Sequence, residues 1–230
     1  MKTLVIQPNL VEQVRDAILE EIASGAMPAG ERIIQEQIAQ SLGVSRQPVQ
    51  QALALLRNQG VLQDAPGRGL LVAPLDPDFV RQMYDIRAVI EGLAARRAAE
   101  LGAARAAKEG PPLIAAGRKA VEAGAVAKMI DADMRLHAFI YALSGNPLIA
   151  PALETHLTHT QRVMGAVLNQ DEKPRDIWDE HEAMLKAIAA GDGDLAESLV
   201  RNHLMHAAGF MVARLGGKTP DLPPITRGKS

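Results

Sequence analysis

Two short β-prone runs, Val61-Leu62-Gln63 and Leu70-Leu71-Val72, flank Ala65-Pro66-Gly67-Arg68-Gly69 in a chain otherwise patterned for helix. Such runs around a Gly-rich tip read as a β-hairpin. An isolated hairpin is at best marginally stable, so this one must pack on the helices beside it. Upstream, Val11, Val14, Ile18 and Ile22 recur at helical spacing among acids and polar residues, which predicts a first helix. Gly25 and Met27-Pro28-Ala29-Gly30 stop it. A second helix is predicted over 35–42, with Ile38 and Leu42 on its buried side, and Gly43-Val44 breaks it. Ser45 is placed to N-cap a third helix from Arg46 to Asn58, which tolerates Pro48 in its first turn and ends at Gly60. Three helices followed by a hairpin is the winged-helix pattern.

Pro74 and Asp76-Pro77 then mark a linker. Beyond it the pattern is Ala-rich and helical, with helices predicted over 78–107, 111–127, 129–143, 147–170, 175–190 and 193–215. Gly110, Gly117 and Gly124 weaken the second of these. Ser144-Gly145-Asn146-Pro147 and Gly191-Asp192-Gly193-Asp194 punctuate the others. From Gly216 the chain lacks periodicity, and a disordered tail is expected over 216–230. The fold class is therefore mainly α. A winged helix-turn-helix occupies 1–75, and an all-helical bundle domain occupies 78–215.

Of the 230 residues 47% are apolar, enough for a core in each part. The absence of cysteine removes disulfides and thiolate chemistry and fits a reducing cytoplasm. No apolar run reaches the roughly 18 residues of a spanning helix, and the apolar stretch in 1–8 is short for a signal peptide. A soluble cytoplasmic protein with no membrane partner is expected. The net charge is −2, and up to residue 75 the bases Lys2, Arg15, Arg32, Arg46, Arg57 and Arg68 are offset by Glu12, Asp16, Glu20, Glu21, Glu31, Glu36 and Asp64. Affinity for nucleic acid would have to come from where the bases sit, not from their number.

The predicted third helix divides cleanly. Val49, Ala52, Leu53 and Leu56 form an inward stripe, while Arg46, Gln47, Gln50, Ala54, Arg57 and Asn58 share the other side. A recognition helix needs an apolar face to fix its angle and long polar side chains to reach base edges in a major groove. Arg68, between two glycines at the hairpin tip, is placed for a minor groove or a phosphate. Spacing alone fits an ordinary solvated helix face and a routine turn residue as well.

In the bundle, Asp133 and His137 are four apart on one helix, His181 begins another and His203 lies in the last. Carboxylate and imidazoles from several helices can converge on one metal ion, and three nitrogens with one oxygen suit zinc, nickel, manganese or iron. One Asp/His pair at this spacing also arises by chance among six histidines. His206, one turn past His203, is the substitute ligand of choice, and His156 and His159 read as polar-face residues.

The run from Ile38 to Leu53 (Ile38-Ala39-Gln40-Ser41-Leu42-Gly43-Val44-Ser45-Arg46-Gln47-Pro48-Val49-Gln50-Gln51-Ala52-Leu53) resembles the reading head of the GntR family of transcriptional regulators. Pro28-Ala29-Gly30 before it, and Gly60-Val61-Leu62 and Gly67-Arg68-Gly69 after it, extend the resemblance. The resemblance implies contacts to double-stranded DNA at Arg46 and at a wing residue near Arg68, with Arg32, Ser45, Gln47, Gln50 and Arg57 on the same surface. One departure stands out, because Gln50-Gln51 replaces the Arg-Glu usual in the family. Residues 78–215 resemble the FadR-subfamily ligand-binding domain called FCD, through Tyr84-Asp85-Ile86-Arg87 with Glu91, Asp133-Met134-Arg135-Leu136-His137, Ser144-Gly145-Asn146-Pro147, Glu180-His181 and His203. That resemblance implies a divalent metal, zinc foremost, on Asp133, His137, His181 and His203 beneath a small-molecule pocket. It further implies an arginine, Arg87 or Arg162, for an acidic effector. Arg87 is equally placed to pair with Glu91.

The expectation is a homodimeric regulator, a repressor in the first instance, on a palindromic operator and tuned by a small carboxylate. Other readings are a regulator with a purely structural metal and a protein partner, or a metal-dependent enzyme. Against the enzyme, no general acid or base is identifiable beside the metal set, since Glu180 adjoins His181 and adjacent helical residues point apart.

Overall fold

The computed structural model of the chain describes residues 10–169 and 177–216. They fall into two compact units, Met1–Leu75 with Leu157–Gln170, and Asp76–His156 with Asp171–Ser230. The tail expected to be disordered lies, from residue 217 onward, outside the described residues.

The first unit holds α1 (Leu10–Ser24), β1 (Arg32–Ile33), α2 (Gln35–Leu42), α3 (Arg46–Asn58), β2 (Leu62–Asp64) and β3 (Leu70–Val72). Val14, Ile18 and Ile22 of α1 meet Ile38 and Ala39 of α2, Val49, Leu53 and Leu56 of α3, and Val61, Leu62 and Val72 of the hairpin in one buried cluster. Leu42, expected inward, is exposed, and Ala39 takes the buried place. The hairpin pairs Leu62 with Val72 and Asp64 with Leu70. β1 adds a third antiparallel strand on the far edge of β3, so the sheet order is β1-β3-β2. Two residues are too short a strand to show alternation in sequence.

The second unit is built on α4 (Pro77–Ala123), with α5 (Val126–Leu143), α7 (Ile177–Ala189) and α8 (Gly193–Leu215). Asp76 N-caps α4, its carboxylate accepting from the Asp78 amide at 3.0 Å, with Pro77 in the first turn. The break expected near residues 107–111 is absent: α4 continues through Pro111 and Pro112 to Ala123. The two prolines remove two backbone donors. Burial of Ala106, Gly110, Ile114, Gly117 and Ala120 along one continuing face outweighs that loss. The glycines that lower helix propensity here permit close packing. A Cβ at Gly110 would lie 2.9 Å from Leu185, and one at Gly117 only 2.0 Å from the Trp178 ring. α6 (Ile149–Leu168) is shared, since Ile149–His156 belongs to the second unit and the remainder to the first.

Replacing Gly117 with alanine tests this reading of α4. Alanine favours an exposed helix by about 1 kcal/mol over glycine, yet Gly117→Ala should destabilise the protein by about 1–3 kcal/mol through overpacking against Trp178. Urea unfolding measures it, and equal or greater stability would mean that Gly117 is tolerated rather than required.

Candidate functional site

α3 presents the polar face anticipated from its sequence. Pro48, Val49, Ala52, Leu53 and Leu56 are buried, while Arg46, Gln47, Gln50, Arg57 and Asn58 are exposed. The Gln35 side chain donates to the Arg46 carbonyl at 2.8 Å, tying the start of α3 to α2. Ser45 is the N-cap residue in extended backbone, but its hydroxyl makes no capping bond. The bases on this surface are not equivalent. Arg46 pairs with Glu36, and Arg57 pairs with Asp64 at 2.6 Å, all four side chains being exposed. Exposed pairs of this kind are weak and readily exchanged for another anion. Arg32 is a brace, donating to the Arg68 carbonyl at 2.6 Å and the Pro66 carbonyl at 3.5 Å. It thereby fixes the wing tip, where Gly67 and Gly69 at φ +89° and +94° hold Arg68 exposed.

In the second unit α5 supplies Asp133 and His137, α7 supplies His181 and α8 supplies His203, all four buried. One ring nitrogen from each histidine lies within 4.8 Å of the others. The Nε2 atoms of His181 and His203 are 3.2 Å apart. Asp133 reaches the Nε2 of His181 at 3.5 Å and that of His137 at 4.0 Å. Donors held about 2.0–2.2 Å from one ion stand roughly 3–4 Å apart, whether it takes four ligands or more, and the His181–His203, Asp133–His181 and Asp133–His137 separations lie in that range.

The opposite ring nitrogens show why the Nε2 atoms face inward. Nδ1 of His137 donates to Glu91 at 2.6 Å, and Nδ1 of His203 donates to Glu180 at 2.8 Å. A carboxylate on Nδ1 fixes the tautomer that leaves the Nε2 lone pair for a metal. The His203 Nε2 so oriented lies 3.2 Å from the Nε2 of His181, whose own Nδ1 has no partner among the described residues, and two ring nitrogens this close need a proton or a cation between them. Burial and the neighbouring His203 and His137 push the His181 imidazole well below its usual range, so it is the neutral, ligating form. The donor chemistry fits a divalent ion.

Glu91 is held in turn. Its other oxygen accepts from Arg87 Nε at 2.6 Å, and the Arg87 guanidinium lies 4.8 Å over the Tyr84 ring. Burial opposes both charges, but Arg87 and His137 keep Glu91 well below the usual carboxylate range, and Glu91 holds Arg87 above its own. Arg87 thus takes the ion-pair role that its spacing from Glu91 allowed. Arg162 belongs to the first unit, where it donates to the Ala73 carbonyl at 2.6 Å. His206 pairs with Glu180 at 3.3 Å, and His159, expected on a polar face, is buried. The supporting roles of Glu91 and Glu180 toward the histidines went unread, because each residue's nearest sequence signal was something else. Glu91 read as the partner of Arg87, and Glu180 as the neighbour of His181.

A winged helix-turn-helix with a polar recognition face, joined to a helical unit built around three imidazoles and a carboxylate, defines a DNA-binding regulator of transcription. Residues 10–72 match the bacterial regulatory proteins of the GntR family, and residues 82–206, more than half the chain, match the FCD domain. The chain belongs to the GntR family and carries an FCD domain; it is a transcriptional regulator and not an enzyme. It is 28% identical over 203 residues to an "Uncharacterized HTH-type transcriptional regulator in unstable DNA locus" of Streptomyces ambofaciens, covering 88% of this chain and 82% of that one. It is also 28% identical over 196 residues to a "Probable D-xylose utilization operon transcriptional repressor" of Paenarthrobacter nicotinovorans, covering 85% and 86%. The solved structure of E. coli McbR/YncC has the same fold, with a TM-score of 0.81 at 20% identity over 91% of this chain and 99% of that one. No helix among the described residues is long and apolar enough to cross a membrane.

The role of Glu91 can be measured. Glu91→Gln keeps the shape but removes the charge that orients His137, so affinity for a divalent ion should fall about 10–100-fold. It also strands the buried Arg87, which should cost about 3–5 kcal/mol of stability. Competition with a metal-binding dye gives the first quantity. Wild-type affinity would show that the carboxylate does not serve the imidazole.

Proposed function

We propose that this chain is a one-component regulator whose grip on an operator is set by a small organic acid bound over a divalent ion. The observation that carries the reading is the convergence of Asp133, His137, His181 and His203 in a buried core, with Glu91 and Glu180 behind two of the imidazoles. These four residues would hold the ion, zinc foremost, with nickel, manganese and iron compatible with the same donors. A bound ion supplies open coordination positions and a Lewis-acidic charge for an effector carboxylate. The protein's own part is to exclude water, fix the tautomers of His137 and His203 and place the Asp133 carboxyl beside them. Effector and DNA are coupled only so far as the effector binds the DNA-competent and incompetent states unequally.

On DNA, Arg46, Gln47 and Gln50 would reach base edges, Arg68 would enter the minor groove or meet phosphate, and Arg57 and Ser45 would position α3. A repressor is the favoured mode; the P. nicotinovorans relative and an E. coli relative, RspR, both carry that word in their names. A palindromic operator needs two heads and hence a homodimer. Supporting that state, Phe79, Ile86, Val89, Leu93 and Leu101 lie exposed on α4, opposite its buried face. A helix apolar on both faces calls for a second covering. The near-complete burial of the four ligands favours one further reading, in which the ion is structural and the signal comes from a partner protein.

Two measurements separate these possibilities. Arg46→Ala should weaken binding to a duplex selected from random sequence by about 1–3 kcal/mol and relax preference at one position of each half-site; unchanged affinity and preference would remove α3 as the reader. His203→Ala should lower metal content and abolish the extra thermal stabilisation that small carboxylates confer on the zinc-loaded protein. Zinc bound in the wild type with no response to any carboxylate would favour the structural ion, and full occupancy in His203→Ala would refute the site.

A further inference from the structure

The second half of α6 fastens onto the reading head at the ends of its elements. His159 Nε2 lies 2.7 Å from the carbonyl of Gln59, the C-cap residue of α3. Arg162 donates to the Ala73 carbonyl, just past β3, at 2.6 Å and approaches His159 Nδ1 at 3.1 Å. A carbonyl only accepts and a guanidinium only donates, so His159 is the neutral tautomer with its proton on Nε2. Further along, a Cβ at Gly165 would lie 1.9 Å from the Ala23 carbonyl oxygen, so the two backbones touch. Asn169 donates toward the carbonyls of Ala23 and Ser24 at 3.4 and 3.3 Å, at the open end of α1.

These contacts are unlike a hydrophobic core. Arg162 is buried, its Nε makes no hydrogen bond, and among the described residues no carboxylate pairs with it. Burial pulls its pKa down to about 10. The head's apolar cluster is drawn from α1, α2, α3 and the hairpin. The same helix begins as Ile149–His156 in the second unit, and it follows α5, which carries Asp133 and His137, after the Ser144-Gly145-Asn146 turn.

We propose that His159, Arg162, Gly165 and Asn169 are positioning residues that set the end of α3 and the base of the wing, and that α6 is the element through which the state of the helical unit reaches them. The second clause rests on the sensing function proposed above. An undivided α-helix transmits a shift at one end to the other, whereas a flexible linker absorbs it.

The test uses the full chain, zinc-loaded or stripped with a chelator, and a duplex selected from random sequence by the wild type. Gly165→Val drives the helix off α1, Arg162→Met removes the bond to Ala73, and Arg162→Lys restores part of it. In both disruptive variants zinc content should stay at the wild-type level. The ratio of the two dissociation constants, loaded against stripped, should fall toward one, and amide exchange in 57–61 and 72–75 should rise at least tenfold, with Arg162→Lys intermediate. Wild-type ratios and protection would overturn the proposal, as would loss of zinc from Arg162→Met. If the wild type shows a ratio of one, the sensing function fails by itself; exchange then decides the positioning role, unchanged protection overturning it. Should Gly165→Val not fold, Arg162→Met and His159→Phe carry the same measurements.

Discussion

A buried imidazole needs an answer for each of its two nitrogens, and the helical unit is arranged around giving one. Burying a polar group without a partner costs about 2–7 kcal/mol, and three histidines sit almost without solvent contact. For His137 and His203 the outward nitrogen is satisfied by Glu91 and Glu180. Each carboxylate is a second buried or half-buried charge, so the need passes on: Arg87 answers Glu91, and His206 shares Glu180. Among the described residues the inward nitrogens answer only to each other and to Asp133. A proton shared between two of them relieves one contact, whereas a divalent ion would turn the whole mutual repulsion into attraction.

That arrangement dictates the rest of the unit. The donors and their supports come from α4, α5, α7 and α8, so four helices must approach closely enough for short side chains to meet. The buried face of α4 allows it, being made largely of alanine and glycine. This is also why the helix ignores its prolines and glycines. Local propensity argues for a break near Gly110-Pro111-Pro112, and local propensity loses to packing when the same glycines seat Leu185 and Trp178.

What was legible in the sequence follows from the range of the interactions involved. Helix periodicity, turn glycines and caps are local, so α1 to α3, the hairpin and the two faces of α3 read directly. The four candidate ligands are nameable from residue type and helix placement, but resemblance is what joins them, since spacing ties only Asp133 to His137 and says nothing of which helices meet. Glu91 and Glu180 were visible as residues but not as supports, because their partners lie 46 and 23 positions away. The split of α6 between two units leaves no trace in periodicity, for a helix keeps one hydrophobic repeat whatever it packs against. β1 was too short to signal, and the bracing of the wing tip by Arg32 shows only once the tip is seen beside it.

The near-neutral charge of the reading head bears on how it holds DNA. Non-specific affinity for DNA grows with the number of phosphates neutralised, and this head presents few unopposed bases, two of its arginines on α3 being paired with Glu36 and Asp64. Binding must therefore rest on a handful of placed contacts, each worth about 1–3 kcal/mol. With so few contacts, the loss of two is a factor of roughly 30 to 20,000 in affinity. A displacement of α3 or the wing by a fraction of a hydrogen-bond length is enough to lose them, since such bonds weaken steeply away from their preferred geometry. A strongly basic head would hold DNA through such a shift. A neutral one lets go, which makes the end of α3 and the base of the wing, where His159 and Arg162 bind, the places where a small movement has the largest effect.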